Sequence, residues 1–398
     1  MHARSLRLLC AGAIAVVSPA SIASAQAPTV RVSGRMQLQY RLSGGDSSAT
    51  FNPDAVSSQF LVRRLRIQTD VRFGDNMLLV IQPSFEMGNL RMRDAYLRVG
   101  LAPGLGLTMG QEKSPFQRYE LTSSNNLPSI ERGVAIAGLS GQQEAMSNLV
   151  VANGYGSHDL GAFLDYTAPS GRIAFKAGVQ GGSRESARDV NNAKSFFARA
   201  TGTVLTNAND QPQLQVGASF AARDRAICSS APATCLASAS TSKSFYADSS
   251  KMTTAFGLDF EWGGFRPGWH VIADFVTGDN VPVPLRVNAS PINAANLLNS
   301  ADSNVVTFAA VHVVGAYRLV TGGSDTRVVK MIEPALRVDL TDPDTGSKGN
   351  AAWLITPAIN LYFANTVVLR AAFDYYSYAQ GTERFAAQQF IMSWQANF

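Results

Sequence analysis

The chain has 398 residues, of which 46% are hydrophobic and only 16% charged, a balance that excludes a disordered polymer. Its 33 glycines and 21 phenylalanines favour many short extended segments over long charged helices. Beyond the N-terminal region no run of about 20 uninterrupted apolar residues occurs, which excludes a transmembrane helix but not a β-barrel, whose signal is spread over alternating segments.

Arg4 and Arg7 precede a small-residue apolar run over 8–23, and Ala23-Ser24-Ala25 stands before Gln26. This is the pattern of an export signal cleaved after residue 25, so 1–25 is expected to be removed and 26–398 to form the mature protein. Loss of Arg4 and Arg7 lowers the formal charge from +5 to about +3, too little for a nucleic-acid binder. Cys10 lies too early in the apolar run to accept a lipid anchor. Cys228 and Cys235 sit where an exported chain can close a small loop disulfide. No thiolate-activating neighbour or further ligand accompanies them, which leaves a structural staple or two idle thiols.

In the first mature segment, 30–42, Val30, Val32, Met36, Leu38, Tyr40 and Leu42 share one parity, and Arg31, Ser33, Arg35, Gln37, Gln39 and Arg41 share the other. Such a strand has one face for apolar surroundings and one for water. The next segment repeats the pattern, with Leu65, Ile67, Val71 and Phe73 opposite Arg64, Arg66, Asp70 and Arg72. Eighteen segments of this kind run from 30–42 to 383–398, or sixteen if 133–140 and 144–154 are not strands. Their connections tend to alternate in length. Short ones such as 74–75, 102–103, 169–170, 263–264 and 365 all fall on one side, and long ones such as 43–58, 114–132, 226–249 and 278–302 on the other. A soluble sandwich has no reason to segregate its loops in this way, whereas an outer-membrane barrel does, so an all-β transmembrane antiparallel barrel of 16–18 strands with both termini in the periplasm is expected. In the last segment Phe390, Met392, Trp394, Ala396 and the terminal Phe398 share one parity, as in the terminal strands by which such barrels are sorted.

Gly34-Arg-Met-Gln-Leu-Gln-Tyr40, Arg63-Arg-Leu-Arg-Ile67, Asp94-Ala-Tyr-Leu97, Gly110-Gln-Glu-Lys-Ser-Pro-Phe116, Glu120-Leu-Thr-Ser-Ser124 and Ile130-Glu-Arg132 follow one another in the chain. Together they resemble the successive motifs of the phosphate-selective porin O and P family. The resemblance implies a water-filled outer-membrane channel, usually trimeric, with an inward-folded loop that narrows the lumen and basic residues that bind anions.

Arginine suits that task, because its planar fork of donors matches phosphate or carboxylate oxygens and its charge persists at every relevant pH. Arg64, Arg66, Lys113 and Arg132 are the foremost expected anion contacts, followed by Arg35 and by Arg63, whose parity faces lipid and whose inclusion rests on the family motif alone. Some of these arginines should pair with Asp70, Glu86 or Asp94. Pro115 breaks the fifth strand after Lys113, and the polar stretch that follows makes 114–130 the expected constriction loop. After residue 132 no arginine-dense strand follows, and Arg184 and Arg188 fall in a loop. That departure argues against strict phosphate specificity, so the expectation is a preference for anions, phosphate or related ones, with a broader anion preference or plain size-limited diffusion left open. Outer-membrane lipid, the assembly machinery acting through Phe398, and two further copies of the chain are the other expected partners.

No cofactor or catalytic centre is expected. His158, His270 and His312 lack metal-ligand spacing, and neither Gly-x-Ser-x-Gly nor a phosphate-cradling glycine loop is present. The other functions considered are a barrel with a blocked lumen serving adhesion or structure, and an outer-membrane hydrolase whose Ser–His pair forms only in space.

Overall fold

The computed structural model describes residues 27–55, 57–139, 145–182, 185, 194–228, 249–280, 297–299, 305–321, 328–363 and 366–398, with side chains throughout except at 225–251 and 297–299. The expected export signal, the possible Cys228–Cys235 link, and Arg184 and Arg188 lie outside what is described.

The strands are β1 (Thr29–Gly45), β2 (Ser58–Phe73), β3 (Met77–Glu86), β4 (Asn89–Ala102), β5 (Leu105–Lys113), β6 (His158–Thr167), β7 (Ile173–Gln180), β8 (Ser195–Thr206) and β9 (Pro212–Cys228). They continue with β10 (Ser249–Trp262), β11 (Gly268–Asn280), β12 (Leu297–Asn299), β13 (Val306–Val320), β14 (Met331–Asp342), β15 (Ala352–Tyr362), β16 (Val367–Gln380) and β17 (Glu383–Asn397). β12 is a three-residue addition that pairs in parallel with β9. The other sixteen form one antiparallel wall, closed where β1 meets β17 in the register Met36↔Ala396 to Leu42↔Phe390. Closure leaves no strand edge to be satisfied by lipid, which cannot hydrogen-bond a bare backbone.

Sixteen strands is the lower of the two expected counts, and it has a physical cause. The apolar residues of 133–140 and 144–154 pack inside the barrel instead of facing lipid. Val134, Ile136 and Leu139 are buried in irregular chain, while Met146–Ala152 is a helix. Because two segments drop out together, the sidedness is unchanged. Connections 74–76, 103–104, 168–172, 207–211, 263–267 and 363–366 are tight and share an end with both termini. The far end is less uniform than expected. It carries the long connections but also two hairpins, one of which turns on Met87 and Gly88 at φ 50° and 83°.

The outer face is apolar along the wall, as the alternation predicts: Val30, Val32, Ile67, Leu97, Leu164 and Leu258 are all exposed there. The inner face is not uniformly polar. From β6 to β13 the lumenal positions include Phe163, Phe197, Ile272, Val276, Phe308 and Val314, each no more than 2% exposed. Between β5 and β6 the chain over 114–139 and 145–157, which carries α1 (Arg118–Leu121) and α2 (Met146–Ala152), folds into the lumen and sets Phe116, Tyr119, Leu127, Met146, Leu149, Val150 and Tyr155 against them. Burying each such side chain is worth about 1.5–3 kcal/mol, which holds the segment in place. A second cluster joins Phe51, Val134, Ile136 and Leu139 to Leu354, Tyr376 and Tyr378. The inward loop is thus longer than 114–130 and is a packed plug on one side of the lumen.

Candidate channel constriction

The polar side of the lumen lies at β1–β5. β1 pairs with β2 as Gln37↔Arg64 and then as Leu38↔Val62, so β2 carries one extra residue there, Arg63. A bulge of this kind re-aims the side chains around it. Although plain alternation points Arg63 at lipid, its Nε lies 2.8 Å from Glu131 Oε1 and its Nη2 3.1 Å from Oε2. Arg64 Nη2 lies 2.7 Å from Glu131 Oε2, and Arg41 Nη2 3.3 Å from Oε1. Gln39 donates to the same carboxylate at 2.9 Å. Burial pushes the Glu131 carboxyl up, but Arg63, Arg64 and Arg41 outweigh it and hold the group well below the usual carboxylate range. The Glu131 carbonyl accepts from Arg337 Nη1 at 3.0 Å and from the Tyr119 hydroxyl at 3.2 Å.

Two further ion-pair groups adjoin this one. Glu86 is held by Arg66 and Arg93, and Arg93 reaches Glu185 at 2.6 Å. Lys113 Nζ binds the Glu120 carboxylate at 2.9 Å and its backbone oxygen at 2.5 Å, tying the end of β5 to α1, and Ser147 donates to the same carboxylate from α2. Burial raises the pKa of Glu120, yet Lys113 and Arg132 reverse that and lower it. Of the carboxylates expected as counter-ions, Glu86 is thus a partner of three arginines, Arg63 lying 4.0 Å away, and Asp94 lies 3.6 Å from His158 Nε2.

Two basic residues are engaged differently. Arg132 donates to the Tyr119 and Thr122 carbonyls and has no carboxylate within ion-pair distance among the described residues. Arg35 Nη1 donates to Ser123 Oγ at 3.0 Å and Asn125 Oδ1 at 2.8 Å, and its Nε, in a side chain only 7% exposed, has no partner.

These groups line one cavity of about 610 Å³. All six expected residues, Arg35, Arg63, Arg64, Arg66, Lys113 and Arg132, are brought together on its wall. Arg91 and Arg93 join them and were missed, although they share a parity just before the Asp94-Ala-Tyr-Leu97 motif. Formally, eight basic side chains (Arg35, Arg63, Arg64, Arg66, Arg91, Arg93, Lys113, Arg132) face five carboxylates (Glu86, Asp94, Glu120, Glu131, Glu185), an excess of three positive charges. Asp94 and Lys113 also line a second cavity of about 400 Å³ with Glu112, Asp165, Lys176 and Arg199, which reaches toward the short-turn end at Thr167 and Ala174. There the charges are mostly paired, Arg98 with Asp165 at 2.5 Å and Lys176 with Glu112 at 2.5 Å.

Among the described residues the histidines form no Ser–His pair. His312 is bonded to Asp339, and both ring nitrogens of His270 are without a partner.

A closed sixteen-strand wall around a lumen narrowed by its own inward loop and lined with arginine defines a porin-type channel of the outer membrane. Residues 30–279 match the sequence model of the phosphate-selective porin O and P family, and the chain belongs to that family. No curated protein matches it. Solved structures of the same fold include the outer-membrane channel DcaP of Acinetobacter baumannii (TM-score 0.56, 11% identity, 93% of this chain and 97% of that one). The anion-selective porin of Comamonas acidovorans is similar as well (TM-score 0.55, 10% identity, 93% and 100% covered). So is OmpT, an outer-membrane protein of Vibrio cholerae (TM-score 0.53, 12% identity, 95% and 100% covered).

Proposed function

We propose that the chain forms a water-filled pore for passive diffusion of small solutes, with a preference for anions such as phosphate and related oxyanions. The observation that carries this reading is the excess of three positive charges around the 610 Å³ cavity, on whose wall Arg35, Arg91 and Arg132 have no carboxylate partner among the described residues. An anion entering a narrow lumen loses part of its hydration, and guanidinium groups not already neutralised can replace it. Arg35 and Arg132 are therefore the direct solute contacts in this reading. Arg66 and Lys113 are joined to Glu86 and Glu120 and contribute chiefly through the field they leave in the lumen. The likeness to an anion-selective porin is consistent with this preference. Assembly as a homotrimer, and recognition of the terminal strand by the assembly machinery, belong to the same proposal.

The test is the conductance of purified protein in a planar bilayer, followed by its reversal potential in a salt gradient. An open channel whose reversal potential moves toward the anion's equilibrium value is expected. A cation-selective channel would refute the preference, and a silent one would favour a blocked barrel of adhesive or structural role.

A further inference from the structure

We propose that Glu131 is a tethered counter-anion that occupies the Arg41–Arg63–Arg64 cluster, so that these guanidinium groups position the loop and Glu131 sets how strongly the channel prefers anions. The inference rests on the reading of the pore as anion-preferring.

The carboxylate is saturated. Two carboxylate oxygens offer about four acceptor sites, and they receive Arg63 at 2.8 and 3.1 Å, Arg64 at 2.7 and 3.3 Å, Arg41 at 3.3 Å and Gln39 at 2.9 Å. Other donors of the cluster are engaged as well, Arg64 Nη1 with Gln37 Oε1 at 2.9 Å and Arg41 Nε with Gln39 Oε1 at 2.9 Å. Arg41, Arg64 and Glu131 are each no more than 6% exposed. A passing anion would have to displace a carboxylate held on the same chain, whose effective concentration at the cluster is on the order of millimolar or higher. The β2 bulge is what makes the grip two-handed, because it brings consecutive arginines onto one carboxylate.

The anchor of the loop is separable from this charge. The Glu131 carbonyl is held by Arg337 and Tyr119, and the plug around it is packed through Tyr119, Leu127 and Leu149. Neutralising the carboxylate therefore removes one negative charge from the lumen wall and frees guanidinium donors while the loop stays seated.

The experiment is Glu131→Gln in a planar bilayer, with chloride and inorganic phosphate as probes and heat-modifiable gel migration as the check on folding. The anion-to-cation permeability ratio should rise, by up to about fivefold for a unit charge near 4 Å in water, and Glu131→Asp should return it toward the unmodified value. A mere loosening of the loop would instead widen the pore and draw the ratio toward unity, which would overturn the inference, as would an unchanged ratio. The double variant Glu131→Gln/Arg64→Gln, which removes one charge of each sign, should match the unmodified channel. A clear fall would mean that Arg64 serves the solute directly, and this variant decides the matter if Glu131→Gln alone does not assemble. An unmodified channel that is not anion-selective defeats the functional reading, whereas an anion-selective channel indifferent to Glu131 defeats only this inference.

Discussion

Replacing Arg35 and Arg132 together with glutamine removes two of the cavity cations that, like Arg91, have no carboxylate partner among the described residues, and lowers the formal excess on the wall from three to one. A unit charge acting over about 4 Å in water is worth about 1 kcal/mol, or roughly fivefold in the local concentration of a monovalent ion. Two such charges, partly shared with the neighbouring ion pairs, should cost about tenfold in the anion-to-cation permeability ratio, measured as a reversal potential near 0.1 M salt. The Debye length falls from about 10 Å at 0.1 M to about 3 Å at 1 M, so the difference between variant and unmodified channel should shrink in concentrated salt. Arg172→Gln is the control. It removes one charge from an exposed pair with Asp210, 3.6 Å away at the short-turn end, and should leave the ratio unchanged. A ratio insensitive to Arg35 and Arg132, or equally sensitive to Arg172, would refute the argument. A large rise in single-channel conductance would show that the loop had moved.

Two further outcomes follow from the closure of the barrel and from the buried carboxylates. The Gly34 amide and carbonyl bond to Phe398 at 2.8 and 3.0 Å, and a Cβ at Gly34 would fall 2.2 Å from the Phe398 ring and 2.8 Å from the Arg66 carbonyl oxygen. Gly34→Val should therefore sharply reduce the heat-modifiable fraction, with Phe398→Ala milder, and normal assembly of Gly34→Val would refute the close approach. Glu131 and Glu120 are both held below the usual carboxylate range, so their contribution is complete above the unfolded value of about 4.3 and is lost only as pH falls through the lower folded one. Protease resistance of the 114–157 segment should accordingly be flat from about pH 8 to pH 5, and cleavage that begins near pH 6 would contradict it.

Where a strand separates lipid from water, the sequence is readable. β1 and β2 show a clean alternation because their two faces meet opposite solvents. β13 shows how this fails: Phe308, Ala310 and Val314 face inward while Val311 and Val313 face outward, so neither parity is polar. The same plug explains the two spurious strands, because its apolar residues look like wall when read in isolation. Met146, Leu149 and Val150, spaced three and four apart, carry the helical period that distinguishes α2. The basic cluster was legible as a set of residue types, and all six positions line one cavity. Their pairing was not. Parity sends Arg63 to lipid, and only the extra residue in β2, invisible in a single sequence, turns it toward Glu131. Which cations are neutralised depends on carboxylates 68 and 67 positions away, as in Arg63–Glu131 and Arg64–Glu131.

The dry packing of the plug against β6–β13 separates two quantities that a bare cylinder would tie together. In an empty barrel the bore follows from the number of strands, and changing it means rebuilding the surface that lipid touches. Here the aperture is the space left over between a filled side and an arginine-lined side. Enlarging or trimming Leu121 or Val151, which line the passage from the plug, would rescale it while the hydrogen-bonded wall and its membrane contacts stay as they are, so bore and wall can be varied independently.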